Sequence, residues 1–305
     1  MPTLKEIKGR IGSVKNTLKI TSAMKLVASA KLRKTQKAIE AMRPYERALQ
    51  GILASVTVPG AQEADIAPQS PEIAAPGASE PVFAPRPRAL VAMSSNSSLC
   101  GGFNTNIIAK VRSVRRPGDV VYSIGRKMAD AMRRDGFPSP QDLSALSEHP
   151  AYGPAAELVE QLMKDVEDGR LGQVLLVYTH FVSTARQEPV VETLLGMADP
   201  AAVSQGFAKT PDPSAVESPL QTDAIIEPNK AELLKELLPK ALKLKLYAAL
   251  LDSSTAEHAA RTVAMQTATD NAENLLAELT LQYNKGRQQK ITSEILDLAG
   301  GQAEQ

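Results

Sequence analysis

Residues 4–42 read LKEIKGRIGSVKNTLKITSAMKLVASAKLRKTQKAIEAM, and the spacing of the apolar residues in this stretch decides the architecture. Leu4, Ile11, Leu18, Leu32 and Ile39 recur every seven positions, with Lys25 interrupting the row. Ile7, Val14, Ala28 and Met42 follow three residues behind, and Thr21 and Thr35 fill the remaining slots of that second row. A seam sustained in this way predicts a coiled-coil helix. Thr3 and Glu6 stand at the spacing of a capping box, so the helix is expected to begin there. Pro44 falls inside the pattern, and because an interior proline costs about 3 kcal/mol, a kink or break is expected near Arg43.

The other end of the chain behaves alike. Leu244, Leu251, His258, Met265, Ala272 and Leu279 are each seven apart, flanked by Tyr247, Ala268, Leu275 and Leu276. One helix is predicted from Asn229 to Leu298, about 105 Å long at 1.5 Å per residue, interrupted near Pro239 and ended by Gly300 and Gly301. A seven-residue period winds a seam left-handed around its partner. Since each end supplies one such helix, they are most simply each other's partner in an antiparallel left-handed coiled coil. Two separate amphipathic helices packed on globular surfaces are the competing arrangement.

Between them, residues 59–87 hold seven prolines among Ala, Gly, Ser and Gln, the composition of a linker. Strand and helix signals then alternate: a strand at Arg88 to Met93, a helix from Asn104, a strand at Val120 to Ile124, a helix from Arg126 to Arg134, a helix from Pro154 to Asp168 and a strand at Val174 to Tyr178. The apolar runs Gln173 to Thr184 and Pro189 to Met197 are close enough to form an antiparallel hairpin, and Ala198 to Ser218 reads as loop. This order predicts a central Rossmann-like α/β domain, and the whole chain mixes α+β and α/β character. The expected divisions are 1–58 and 223–305 for the two coiled-coil helices, 59–87 for the linker and 88–222 for the central domain.

The charges are balanced overall, 35 basic against 34 acidic, which argues against a globally basic nucleic-acid binder. Their distribution is uneven: residues 1–57 hold 12 Lys and Arg against three acids, whereas 58–85 hold four acids and no basic residue. A basic helix with Tyr45 as its one aromatic is a poor platform for bases, and an acidic protein collar accounts better for the one-sided excess. The single Cys100 leaves no internal disulfide and no thiolate cluster, which fits a reducing compartment. No apolar run approaches the roughly 20 residues of a bilayer span, and the start lacks a signal-peptide core. The expectation is a soluble, intracellular protein that reaches a membrane only through a partner.

Candidate sites are few. Ser94-Ser95-Asn96-Ser97-Ser98-Leu99-Cys100-Gly101-Gly102-Phe103-Asn104 is a Gly-rich turn from strand to helix, a place where α/β folds bind phosphate. It matches neither the dinucleotide G-x-G-x-x-G pattern nor a P-loop, so a structural turn is expected. Cys100 is expected to pack rather than react. His149, His180 and His258 lie at no metal-ligand spacing, and His258 occupies a seam position, where a polar residue sets register or meets a partner. Nothing in the pattern assembles a catalytic constellation.

Four stretches resemble the gamma subunit of F-type ATP synthases. They are ITSAMKLVASAKLR at 20–33, LCGGFN at 99–104, AEHAARTVAM at 256–265 followed by ATDNA at 268–272, and YNKGRQQKIT at 283–292. They occur in the family's order and span both helices and the middle domain. The resemblance implies a non-catalytic rotor shaft without cofactor. Its coiled coil would enter a ring of alternating alpha and beta subunits, with an epsilon subunit and the membrane c-ring at the other end. It further implies a peripheral location on the cytoplasmic face of the bacterial inner membrane, without direct lipid insertion or nucleic acid. By position within the matched motifs, Met24, Lys25, Arg261, Arg287, Gln288 and Thr292 would contact the alpha/beta ring, and Glu227, in Ile225-Ile226-Glu227-Pro228, resembles an acidic position on the membrane-ring side. The chain departs from the family at Asn96-Ser97-Ser98, where an Asp followed by Arg or Gln and Gly is usual, and at Gly286, where Ala is usual. The chloroplast form's cysteine pair is absent, so no thiol regulation is expected. Read without the resemblance, the same residues leave open a stand-alone nucleotide-binding α/β enzyme dimerised by its helices, or a coiled-coil adaptor.

Overall fold

Each end of the chain forms one long helix in the computed structural model, which describes residues 3–57, 86–196 and 229–301. Helix α1 spans Leu4–Thr57, and the last helix, α6, spans Lys230–Gly301. The capping box forms as expected: the Thr3 N–H donates to Glu6 Oε2 at 2.9 Å, and the Glu6 N–H donates to Thr3 Oγ1 at 3.3 Å. Neither Pro44 nor Pro239 breaks its helix, contrary to the expected interruptions. Pro44 and Glu40 are both exposed, so the carbonyl that loses its N–H partner there meets water instead. Gly300 and Gly301 also stay helical rather than stopping α6 at Leu298.

The two helices pair antiparallel. Thr269 Oγ1 donates to Thr21 Oγ1 at 3.0 Å inside the seam, and Gly286 faces Leu4, whose Cδ2 lies 3.1 Å from where a Cβ would stand. In both pairs the residue numbers total 290, which is what an antiparallel register requires. Leu49, Leu53, Ala241 and Leu244 continue the seam at the far end as one buried cluster. On α1 the buried seam residues include the expected Ile7, Thr21, Ala28 and Leu32. On α6 the inward positions Met265, Thr269, Ala272, Leu276, Leu279, Tyr283 and Gly286 advance by four and three in turn. Leu275, expected beside the seam, is therefore turned outward and 45% exposed.

The middle of the chain runs β1 (Arg88–Met93), α2 (Phe103–Val114), β2 (Val120–Ile124), α3 (Arg126–Arg134), α4 (Ser144–Glu148), α5 (Tyr152–Glu167), β3 (Gln173–Phe181) and β4 (Gln187–Gly196). The short α4 is the one described element that the sequence pattern did not announce. The four-stranded sheet has the order β2-β1-β3-β4, with β1 parallel to β2 and β3, and β4 antiparallel to β3 as the expected hairpin. Successive strand residues face opposite layers. Ala89, Val91, Met93, Leu176 and Tyr178 join Leu158 and Leu162 of α5 with Leu242, Leu246 and Leu250 of α6. Leu90, Ala92, Val121 and Val177 join Ile107 and Val111 of α2 with Met128 and Met132 of α3. The base of α6 is thus apolar on two sides, one packed on the sheet and one on α1. A fully buried leucine contributes about 1.5–3 kcal/mol, so this double burial holds the shaft firmly on the sheet.

Candidate functional site

In an open α/β sheet, ligands bind outside the carboxyl ends of the strands where the strand order reverses, which here is between β1 and β3. A cavity of about 180 Å³ lined by Cys100, Gly102, Phe103, Thr179 and Ala260 lies near that crevice, but the donors at the neighbouring β2–α3 edge are already engaged. The first N–H groups of α3 are taken: Arg126 N donates to Asn96 Oδ1 at 3.0 Å, Lys127 N to the Ser95 carbonyl at 3.2 Å, and Met128 N to Ser94 Oγ at 2.9 Å. Asn104 Oδ1 accepts from the Ser95 N–H at 3.1 Å. Gly125, at φ 100°, approaches so closely that a Cβ would stand 2.3 Å from the Ser94 carbonyl oxygen, which leaves no room for any other residue. Helix α6 then closes the edge. Asp252 Oδ1 accepts from the Phe181 N–H at 3.0 Å, and Ala256 and Ala260 pack against Cys100, Phe103 and Phe181. Cys100 is buried, with Asn104 Nδ2 3.1 Å from its sulfur, in the packing role expected. The Gly-rich turn is a joint between sheet and shaft, not a phosphate cradle.

Arg261 sits at that joint. Its Nη2 donates to Ser97 Oγ at 2.9 Å, and its Nη1 lies 2.5 Å from Glu257 Oε1, with both side chains largely buried, at 11% and 10% exposed. Burial pushes the Glu257 carboxyl up, against the pull of the Arg261 guanidinium. Asn96, Ser97 and Ser98, where the sequence departs from the expected pattern, are all engaged: Asn96 caps α3 and donates to the Ser144 carbonyl at 2.9 Å, Ser97 Oγ receives Arg261, and the Ser98 carbonyl lies 3.4 Å from the same guanidinium. Leu99 follows at φ 67° and is 57% exposed, an unusual backbone for a leucine, between this clamp and the buried Cys100.

The remaining expected contact residues fall into two groups on the shaft. Met24 and Lys25 are half-buried beside the middle of the seam. Arg287, Gln288 and Thr292 are exposed near the free end of α6, about 35 Å away by helical rise. The sequence reading missed the apolar residues around them. Ile20, Leu26 and Val27 are 59%, 69% and 58% exposed around the first group. Leu281, Ile291, Ile295 and Leu296 are 70%, 46%, 60% and 65% exposed around the second. Their signal was available, since all seven are large apolar residues at positions the heptad does not use. Glu227, the linker up to residue 85 and Ala198 to Ser218 lie outside the described residues.

His258 occupies the seam, where its Nδ1 finds no hydrogen-bond partner among the described residues. Among those residues, no group of three or more His, Cys, Asp or Glu is placed to hold a metal ion, and no helix is long and apolar enough to cross a membrane.

The sequence model of a family described as ATP synthase matches residues 3–303. The ATP synthase gamma chain of Bacteroides thetaiotaomicron is 43% identical over 99% of both chains, and that of Phocaeicola vulgatus is 44% identical over the same share. This chain belongs to the ATP synthase gamma-chain family. The rotor of the Euglena gracilis mitochondrial ATP synthase has the same fold, with a TM-score of 0.60 at 18% identity, covering 94% of this chain and 98% of that one. A chain of the Tetrahymena thermophila central stalk and c-ring structure gives 0.52 at 21% identity, covering 82% and 99%. A gamma chain is a non-catalytic subunit and serves as the shaft of a rotary machine. The reading as a stand-alone nucleotide-binding enzyme is not supported by these relatives.

Proposed function

We propose that the paired helices α1 and α6 form a left-handed shaft turning inside a ring of alternating alpha and beta subunits, where proton flow drives conformational change at the catalytic sites. The exposed apolar belts on the faces that the seam leaves free support this reading most directly. Large apolar residues exposed at two levels on the outer faces of a rod are surfaces for a surrounding sleeve, and rotation of an asymmetric rod alters the sites in turn by differential contact. Met24 and Lys25 would touch the ring along the middle of the shaft, and Arg287, Gln288 and Thr292 would do so near its tip. Arg261 would act at the same level from within, its exposed fraction being small and its guanidinium holding the 97–98 loop. The other end, with Glu227 on the membrane-ring side, would meet an epsilon subunit and the membrane c-ring. The assembly would sit on the cytoplasmic face of the bacterial inner membrane, with 88–222 as a discrete central domain between coiled-coil segments 1–58 and 223–305 and the linker 59–87.

The test is a disulfide from a cysteine placed at Gln288 to one placed in a catalytic subunit. Proton-driven ATP synthesis should stop on oxidation and return on reduction. Unchanged synthesis in a fully cross-linked sample would remove the claim that this stretch must turn. Met24→Lys should lower synthesis per assembled complex while leaving thermal stability nearly unchanged, since the added charge faces the partner rather than the core.

A further inference from the structure

One buried polar cluster takes no part in the shaft seam or the ring surfaces. Two side chains of α6 reach across to the sheet. Lys245 Nζ donates to the Thr193 carbonyl of β4 at 2.9 Å and lies 3.7 Å from Glu192 Oε2. Glu192 Oε1 in turn accepts from the Tyr178 hydroxyl at 3.1 Å. Asp252 Oδ2 lies 2.5 Å from His180 Nδ1, and its Oδ1 accepts from the Phe181 N–H at 3.0 Å, both on β3. Glu46 of α1 lies within electrostatic reach of both Glu192 and Asp252. The Lys245 side chain is 6% exposed, Asp252 17% and Glu192 25%.

Taking such charges out of water costs several kcal/mol, and a well-packed apolar contact would hold the same surfaces together at least as well. Apolar packing sets the crossing angle by interdigitation within a scatter of about 15–20°, whereas a hydrogen bond holds at one donor–acceptor geometry. Lys245 and Asp252 are seven residues apart, so they project from one face of α6 about 10 Å from each other, and they grip two adjacent strands. A single polar contact would be a pivot, whereas two spaced contacts fix an angle.

We propose that Lys245 and Asp252, with their partners on β3 and β4, form a two-pin lock that prevents the central α/β domain from pivoting on the shaft under torque. The inference rests on the rotor reading. Both residues are positioning residues, and neither touches a ring contact or a reacting group.

The experiment uses the assembled complex with its catalytic head fixed to a surface and a gold rod attached through a cysteine at one of two exposed positions, Arg133 on the domain or Lys240 on α6. Angular fluctuation is recorded in the ATP-waiting dwell. In the Lys245→Met, Asp252→Asn double variant, the angular variance should rise at least two-fold at Arg133 and stay unchanged at Lys240. Each single variant should give a smaller rise, and Lys245→Arg should keep the wild-type value. Unchanged variance at Arg133 in complexes that still hydrolyse ATP would overturn the lock, as would an equal rise at both positions, which would place the softness in the shaft. Where the double variant does not assemble, the single variants decide by the same two readings. Absence of any rotation in the wild-type complex would instead count against the rotor reading itself.

Discussion

His258 shows how a single seam residue can make this molecule sensitive to acid. Burial lowers its pKa most, Arg261 and Lys31 lower it further, and the result is a fall from 6.5 to about 4. The folded chain therefore keeps the imidazole neutral at pH values where the unfolded chain has already taken up the proton. The associated stability is complete above pH 6.5 and is lost as the pH falls from there through about 4, to a total of up to about 3 kcal/mol at roughly 1.4 kcal/mol per unit. His180 has the opposite sign. Its hydrogen bond to Asp252 raises its pKa, so its contribution is complete below 6.5 and fades as the pH rises through the folded value. Melting temperatures measured between about pH 4.5 and 9 separate the two. His258→Leu should flatten the acid side alone, and His180→Gln the alkaline side alone. An acid slope identical to wild type in His258→Leu would show that this histidine is not the group that titrates.

At the scale of the helices, Gly286 is the soft point of the seam. A glycine within a helix costs about 1 kcal/mol relative to alanine, and an added Cβ here would meet only Leu4, tightly at Cδ2, 3.1 Å away, and in ordinary contact at Cγ, 3.9 Å away. The Cδ2 atom ends a flexible, half-buried side chain, so it can yield by the few tenths of an ångström required. Gly286→Ala should therefore stabilise the shaft by about 0.5–1 kcal/mol, read as slower amide hydrogen exchange over residues 280–290. Faster exchange would show that Leu4 is held in place and that the overpacking dominates. The heptads made both helices legible because burial in a seam repeats with the helical period, and the hairpin was legible for the corresponding reason in strands. Pro44 was misread because its cost depends on which face it occupies, and that face is fixed only by pairing with α6. The internal partner of Arg261 was not legible because Ser97 is 164 residues away in sequence. The exposed belts, in contrast, were legible as apolar residues out of heptad phase and were overlooked.

The whole molecule is a shaft whose two halves differ in support. Toward its base, α6 is held by the sheet and by α1 together, whereas toward its tip only the seam remains. With paired residue numbers totalling 290, the first residue of α1, Leu4, stands opposite Gly286, and α6 continues to Gly301. Among the described residues nothing stands opposite the last turns of α6, where Ile291, Ile295 and Leu296 are exposed. Helix ends fray where no tertiary packing holds them, and exposed apolar residues add stability only when another surface covers them. The isolated chain should consequently exchange the amides of residues 290–301 close to the unprotected rate, while those of 241–260, packed on the sheet, exchange slowest. In the assembled ATP synthase the same tip amides should be protected at least ten-fold, because the catalytic head would cover the belt. Equal exchange in the free chain and in the complex would mean that the tip is not enclosed, and the placement of Arg287, Gln288 and Thr292 against the ring would fall with it.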